Sequence, residues 1–239
     1  MLIVLPPSET KAAGGERDPM DVSFPALNPV RAELMDDLAA LSATAQLPIL
    51  KISEKMLPEA EANLTLRTAP VMPAIFRYTG VLYDALDADS LNDDALSRLA
   101  IGSALFGIVR AGDMIPKYRL SGGTKLPRRD GTIPTMKARW GSLVTQVLED
   151  SGEFVVDMRS GTYQQLGKAP GAMTVRVESV QEDGTRKVVS HFNKHYKGQL
   201  ARALASSISD AADIAGVAEI ASAAGFSTEV EGTVLTLVV

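Results

Sequence analysis

The 239-residue chain has no cysteine and only two histidines, His191 and His195. The first absence removes disulfides, thiolate nucleophiles, peroxidatic thiols, iron–sulfur ligation and the usual structural zinc. The second forbids a three-histidine site, and neither histidine has a glutamate three residues before it, so the di-iron Glu-x-x-His pattern is missing too. No metal site and no cofactor are therefore expected. With one tryptophan, extensive stacking on nucleic-acid bases is not the expected mode of binding. Long apolar runs are also lacking. Leu2 to Leu5 is too short for a signal-peptide core and has no cation ahead of it, and no later run approaches a membrane span. A cytoplasmic protein without membrane partners is the expectation.

The hydrophobic content of 46% is ample for a core, and residues 1–239 are read as one globular unit. The net charge of −5 is unevenly spread. Residues 117–139 hold seven bases against Asp130 and residues 186–202 hold five bases with no acid, so two stretches of +6 and +5 sit on an acidic remainder. A cationic face on an acidic body is the natural reading.

Leu2-Ile-Val-Leu5 reads as a buried strand closed by Pro6-Pro7, followed by a mobile loop from Ala12 to Asp21. Leu34, Leu38 and Leu41 predict a helix near 30–45. Ser90 and Asp93 resemble a capping box, predicting a helix through "DALSRLAIGSAL". From Gly152 the runs "FVVDM", "MTVRVESV" and "KVVSHF" predict strands, with "EDGT" as a hairpin turn between the last two. Helices are expected near 194–208 and 210–224, and "GTVLTLVV" closes the chain as a strand. Mixed elements without strict alternation favour an α+β fold, a single compact domain with a mixed β-sheet and surrounding helices, over a doubly wound sheet.

Several stretches carry chemistry. In "SHFNKHYKGQLARAL" (190–204), Tyr196, Leu200, Ala203 and Leu204 fall on one face of a helix, and Lys194, Lys197 and Arg202 point away together. Gly198 lies within that cationic face, where it would let a phosphate or another backbone approach. His191 and His195 could add charge when protonated. "YRLSGGTKLPRR" (118–129) joins a Gly-Gly turn to Arg119, Lys125, Arg128 and Arg129, and such a turn can form an anion-binding nest. It is not a Walker A loop, and no G-x-G-x-x-G occurs. Ser8-Glu9-Thr10-Lys11 is formally an S-x-x-K, but the companion K-T-G and S-D-N elements of a serine acylase are missing. "FRYTGVLYDAL" (76–86) is expected as a helix with an interior glycine, and "DMRSGTY" (157–163) as a strand followed by a turn.

Taken in order, "MLIVLPPSETK", "YTGVLYDAL", "LFGIVRAGDMIPKYRLSGG", "RWG", "VVDMRSGTY" and "VVSHFNKHYKGQLARAL" resemble the YaaA family of peroxide-stress proteins over nearly the whole chain. The resemblance implies a compact α+β domain with a cationic cleft and a helix-hairpin-helix-like element able to bind DNA. It further implies a role in limiting free iron and the oxidative damage that iron promotes. The motif positions carried over are Gly80, Tyr83, Gly107, Arg110, Asp113, Tyr118, Arg119, Gly123, Trp140, Gly141, Ser160, Tyr163, Lys194, Lys197, Gly198 and Arg202. The chain departs from the pattern at Ser8-Glu9-Thr10, which delays the lysine to Lys11, around Gly161-Thr162, and at His195.

Two functions compete at this stage. In the first, Arg119, Lys125, Arg128, Arg129, Lys194, Lys197, Gly198 and Arg202 engage the phosphates of DNA with weak sequence preference. In the second, Ser8, Lys11, Arg77, Gly80, Tyr83, Tyr118, Ser160 and Tyr163 converge on a deep pocket for a nucleotide or another small anionic ligand, on which an enzyme would act. A protein-interaction module using the acidic body is a third and blander reading.

Overall fold

Four consecutive apolar residues leave no polar face to turn toward water, so Leu2–Leu5 (β1) is stable only if covered on both sides. Its four residues are 0% exposed. In this computed structural model, which describes residues 1–189 and 192–239, β1 is the inner strand of an eight-stranded mixed sheet. The other strands are β2 (Val71–Pro73), β3 (Leu99–Ser103), β4 (Gly107–Arg110), β5 (Met114–Pro116), β6 (Val155–Asp157), β7 (Met173–Val180), β8 (Arg186–Val188), β9 (Ser227–Glu231) and β10 (Val234–Val238). The order is β4-β3-β1-β6-β7-β10-β9 with β8 on β7, while β2 and β5 pair separately. Strands β3, β1, β6, β7 and β10 run parallel, and β4, β8 and β9 are antiparallel to their neighbours. An α+β domain results.

The chain passes from β1 to β3 on one side and later adds β6 on the other. Connections leaving in opposite directions open a crevice at the carboxyl ends of β1 and β6, the usual place for a ligand on a parallel sheet. Pro6 to Lys11 follow β1, and Met158 to Tyr163 follow β6.

Four expectations are corrected. The stretch read as a helix from Ser90 is a five-residue helix, Asp93–Ser97, capped by the Asn92 side chain on Ala95 N, and then strand β3. The run "LAIGS" is buried on both faces, so it carries no alternation to distinguish strand from helix. "FRYTGVLYDAL" is two short helices, Ala74–Arg77 and Val81–Leu86, broken by Gly80 at φ 102°, a left-handed conformation a β-carbon would strain. The segment 12–21 is held at both ends: Lys11 bridges to Tyr78, Glu16 to Val71 and Asp21 to Met114. Strand β9 was not anticipated; its residues are mostly exposed and it pairs with β10 at the edge of the sheet. The predicted 30–45 helix ends at Ala39, and a second helix, Ala43–Leu50, follows a Ser42 cap.

The Asn193–Ser206 helix lies across Val81–Leu86, and Gly198 explains how closely. A β-carbon there would stand 2.3 Å from the carbonyl oxygen of Leu82 and 2.8 Å from Ala85 Cβ. Gly198 is buried between two helices, so its role on a phosphate-binding face is withdrawn. The opposite partner of the core is Trp140, fully buried with its indole N–H donating to Ala104 O at 3.0 Å and its ring against Gly107.

Candidate functional site at the ends of β1 and β6

Four of the five tyrosines lie near one another, and Lys11 sits over the rings of two of them, Tyr78 and Tyr118. Tyr78 stacks on Tyr83 with centroids 5.7 Å apart, and Tyr118 meets Tyr78 edge-on at 6.4 Å. Their hydroxyls form a row: Tyr78 Oη lies 2.8 Å from Tyr118 Oη, which lies 2.7 Å from Ser103 Oγ, which accepts the amide of Phe106. Tyr83 donates to Pro6 O, and Tyr163 Oη accepts from the amide of Gly122 in the Gly-Gly turn. Burial pushes all four phenols above the ordinary tyrosine range, so they are neutral hydrogen-bonding groups.

The Lys11 ammonium donates to Ser8 O at 2.9 Å and lies 4.2 Å from the centroid of Tyr118 and 5.2 Å from that of Tyr78. It does not bond Ser8 Oγ, which lies 3.0 Å from Thr10 Oγ1, so the S-x-x-K spacing makes no Ser–Lys dyad. Desolvation first, with the charge of Arg119 adding, brings the Lys11 pKa down to about 7.

Beside it opens a cavity of about 310 Å³ lined by residues 6–10, residues 79–83 and Lys194. Its hydroxyls are organised: Thr79 donates to Thr10 Oγ1 at 3.1 Å, and Gly80 leaves its β-carbon position 3.7 Å from Ser8 Oγ and Thr10 Oγ1. Lys194 is exposed and makes no ion pair or hydrogen bond among the described residues. One turn on, Lys197 donates to Met158 O at 3.3 Å, just past β6, and burial lowers its pKa.

The other predicted residues stand elsewhere. Arg77 is fully buried and donates to the carbonyls of Ala12, Gly14, Pro70 and Ile115, so it ties segment 12–21 to the body and is no pocket residue. Ser160 is exposed at the start of the short Gly161–Gln164 helix, outside the lining. Arg202 donates to Leu86 O and Asp87 O, closing the carboxyl end of the helix it crosses. Arg119 pairs with Glu9 at 2.7 Å, Arg128 with Glu33 at 2.8 Å, and Arg129 with Asp37 at 3.4 Å; Lys125 is exposed and unpaired among the described residues. The His191 reading lies outside the described residues, while His195 sits edge-on to Tyr196. Thr10, Thr79, Tyr78 and Ser103 join the site without having been singled out.

Residues 1–230 match the family model described as "Peroxide stress protein YaaA". The chain belongs to the YaaA peroxide-stress family. Among curated relatives it is 64% identical to a UPF0246 protein of Corynebacterium efficiens, with all of both chains covered. It is 61% identical to one of Corynebacterium glutamicum over 96% of this chain and 95% of that one, and 40% identical to one of Streptomyces coelicolor over 85% and 82%. Some YaaA motif positions lie away from the cavity and serve the scaffold. Arg110 pairs with Glu153 at 2.5 Å, and Asp113 accepts from Ser23 and from the Arg110 amide. Among the described residues no helix is long and apolar enough to cross a membrane, and no group of three acids or histidines is arranged for a metal.

Proposed function

We propose that the protein serves the peroxide-stress response of its family by binding a phosphate-bearing ligand at the crevice between β1 and β6. The observation that carries this reading is that Lys194 lines the cavity there with Ser8, Thr10 and Thr79, while Lys11 is anchored behind it on Ser8 O and Lys197 on Met158 O, none of the three lysines being in an ion pair among the described residues. The carboxylate in the lining, Glu9, is taken up by Arg119, so three unpaired lysines and three small hydroxyl groups suit an oxyanion. A free nucleotide is the first source of that phosphate, and an enzyme acting on it is the corresponding activity.

DNA is the second source, favoured by Lys125, Lys187 and Lys194, all exposed and free of ion pairs among the described residues. Protection of DNA from iron-driven oxidation would follow from covering it. Isothermal titration with nucleoside mono- and diphosphates, beside a salt titration on labelled duplex DNA, tests both sources. Nucleotide binding that Lys194→Ala weakens about tenfold or more supports the pocket. Duplex binding whose logarithmic salt slope falls by roughly 0.9 for each lysine removed supports DNA. Failure to bind either ligand overturns the proposal.

A further inference from the structure

Lys11 is an amine held where an ammonium is poorly accommodated. No carboxylate lies within ion-pair distance among the described residues. The two acids whose charge reaches it are both engaged, Glu9 with Arg119 at 2.7 Å and Glu59 with Lys117 at 2.8 Å. The tyrosine faces favour the charged form. Burial and the Arg119 charge oppose it and prevail, and a pKa of about 7 leaves much of the amine with a free lone pair at neutral pH. Its anchor, Ser8, lines the cavity.

The neighbouring hydroxyls supply the other requirement. Tyr78, Tyr118 and Ser103 share two links, and Ser103 Oγ already accepts from Phe106 N–H. One of the three hydroxyl protons is therefore left without an acceptor in the row. When the row donates from Ser103 through Tyr118, the spare proton belongs to Tyr78, whose ring lies under Lys11.

We propose that Lys11 is a nucleophilic amine that forms an imine with an aldehyde or ketone carbonyl carried by a phosphate-bearing ligand of the adjacent cavity. The choice of ligand rests on the phosphate reading above, and the amine chemistry does not. The Nζ lone pair adds to the carbonyl carbon, the C=O π bond breaks, the oxygen takes a proton from the hydroxyl row, and the row regains the proton that nitrogen releases. The resulting carbinolamine loses water, its C–O bond breaking as the C=N bond forms. No oxidant or reductant takes part.

The full-length protein would be treated with pyridoxal 5′-phosphate, or with pyridoxal, and reduced with cyanoborohydride, and the modified lysines located by peptide mass spectrometry. Lys11 is expected to react at least about tenfold faster at pH 7 than exposed lysines such as Lys125 and Lys187, because a lysine of ordinary pKa holds almost no free amine there. Inorganic phosphate is expected to slow the pyridoxal 5′-phosphate reaction, and Lys11→Arg to lose that adduct alone. Because Lys11 is compared with other lysines of the same molecule, the result does not depend on the variant folding. Labelling of Lys11 no faster than of Lys125 overturns the inference. Rapid Lys11 labelling by pyridoxal, equal to that by its phosphate and unprotected by inorganic phosphate, supports the amine and overturns the phosphate reading. Phosphate binding with no Lys11 adduct does the reverse.

Discussion

The two cationic stretches of this chain have nearly equal charge densities but are matched to different extents. In 117–139, Lys117, Arg119, Arg128, Arg129 and Arg139 all reach carboxylates. Their positive charge is spent on holding the loop to the Asn28–Ala39 helix and to the start of the chain. In 186–202, Arg186 reaches Glu229 and Arg202 reaches Asp87 at 3.4 Å, whereas Lys194 and Lys197 reach no carboxylate among the described residues. A run of bases in a sequence thus reports charge that must be matched, and only the tertiary structure says whether the match comes from the protein or is left to a ligand.

The sharpest way to break the comparison is at Arg139. Its guanidinium is buried and joins Glu33 at 2.5 Å, Asp37 at 2.7 Å and Leu126 O at 2.8 Å. Arg139→Met leaves the buried Asp37 with only the exposed Arg129 as cation and is expected to cost about 3 kcal/mol, measured by urea unfolding. Next comes Gly198→Val. The new side chain meets the Leu82 carbonyl, and a loss of about 1–3 kcal/mol is expected in the same assay.

Lys11→Met should move stability the other way, by roughly 1–2 kcal/mol, while abolishing carbonyl labelling at that position, as when a strained functional group is relieved. The pH dependence follows the same sign. The Lys11 pKa falls from 10.5 unfolded to about 7 folded, so between those values the unfolded chain binds more protons and this lysine's contribution to stability rises with pH. Below about 7 its cost is fully present. A thermal melt of native protein and Lys11→Met across that window should show the gap between them narrowing as pH increases. Smallest is Arg128→Ala, at the half-exposed pair with Glu33, where a change within about 1 kcal/mol is expected, shrinking further in high salt.

Much of the scaffold could be read from residue patterns. Leu2–Leu5, Met173–Val180 and Val234–Val238 carry strong β signals, and the helix after Asn193 shows its stripe in Tyr196, Leu200 and Leu204. β3 could not be told from a helix because both of its faces are covered, and β9 was missed because an edge strand such as Ser227–Glu231 buries too little to leave a pattern. The site was half legible. Lys11, Tyr118, Tyr163 and Lys194 stood in the motifs, and Tyr78 stood in one without being singled out, whereas Ser103 enters only because β3 brings it to the tyrosines. Arg77 misled for a related reason: a charged residue among motif residues looks functional, yet four backbone carbonyls consume its donors.

Strand β1 has one more consequence, for the order in which the molecule assembles. Ile3 is paired with Leu99 on one side and Val156 on the other, so both neighbours of the first strand come from far along the chain. Such distant parallel pairings close large loops before they return any energy, which makes for slow folding.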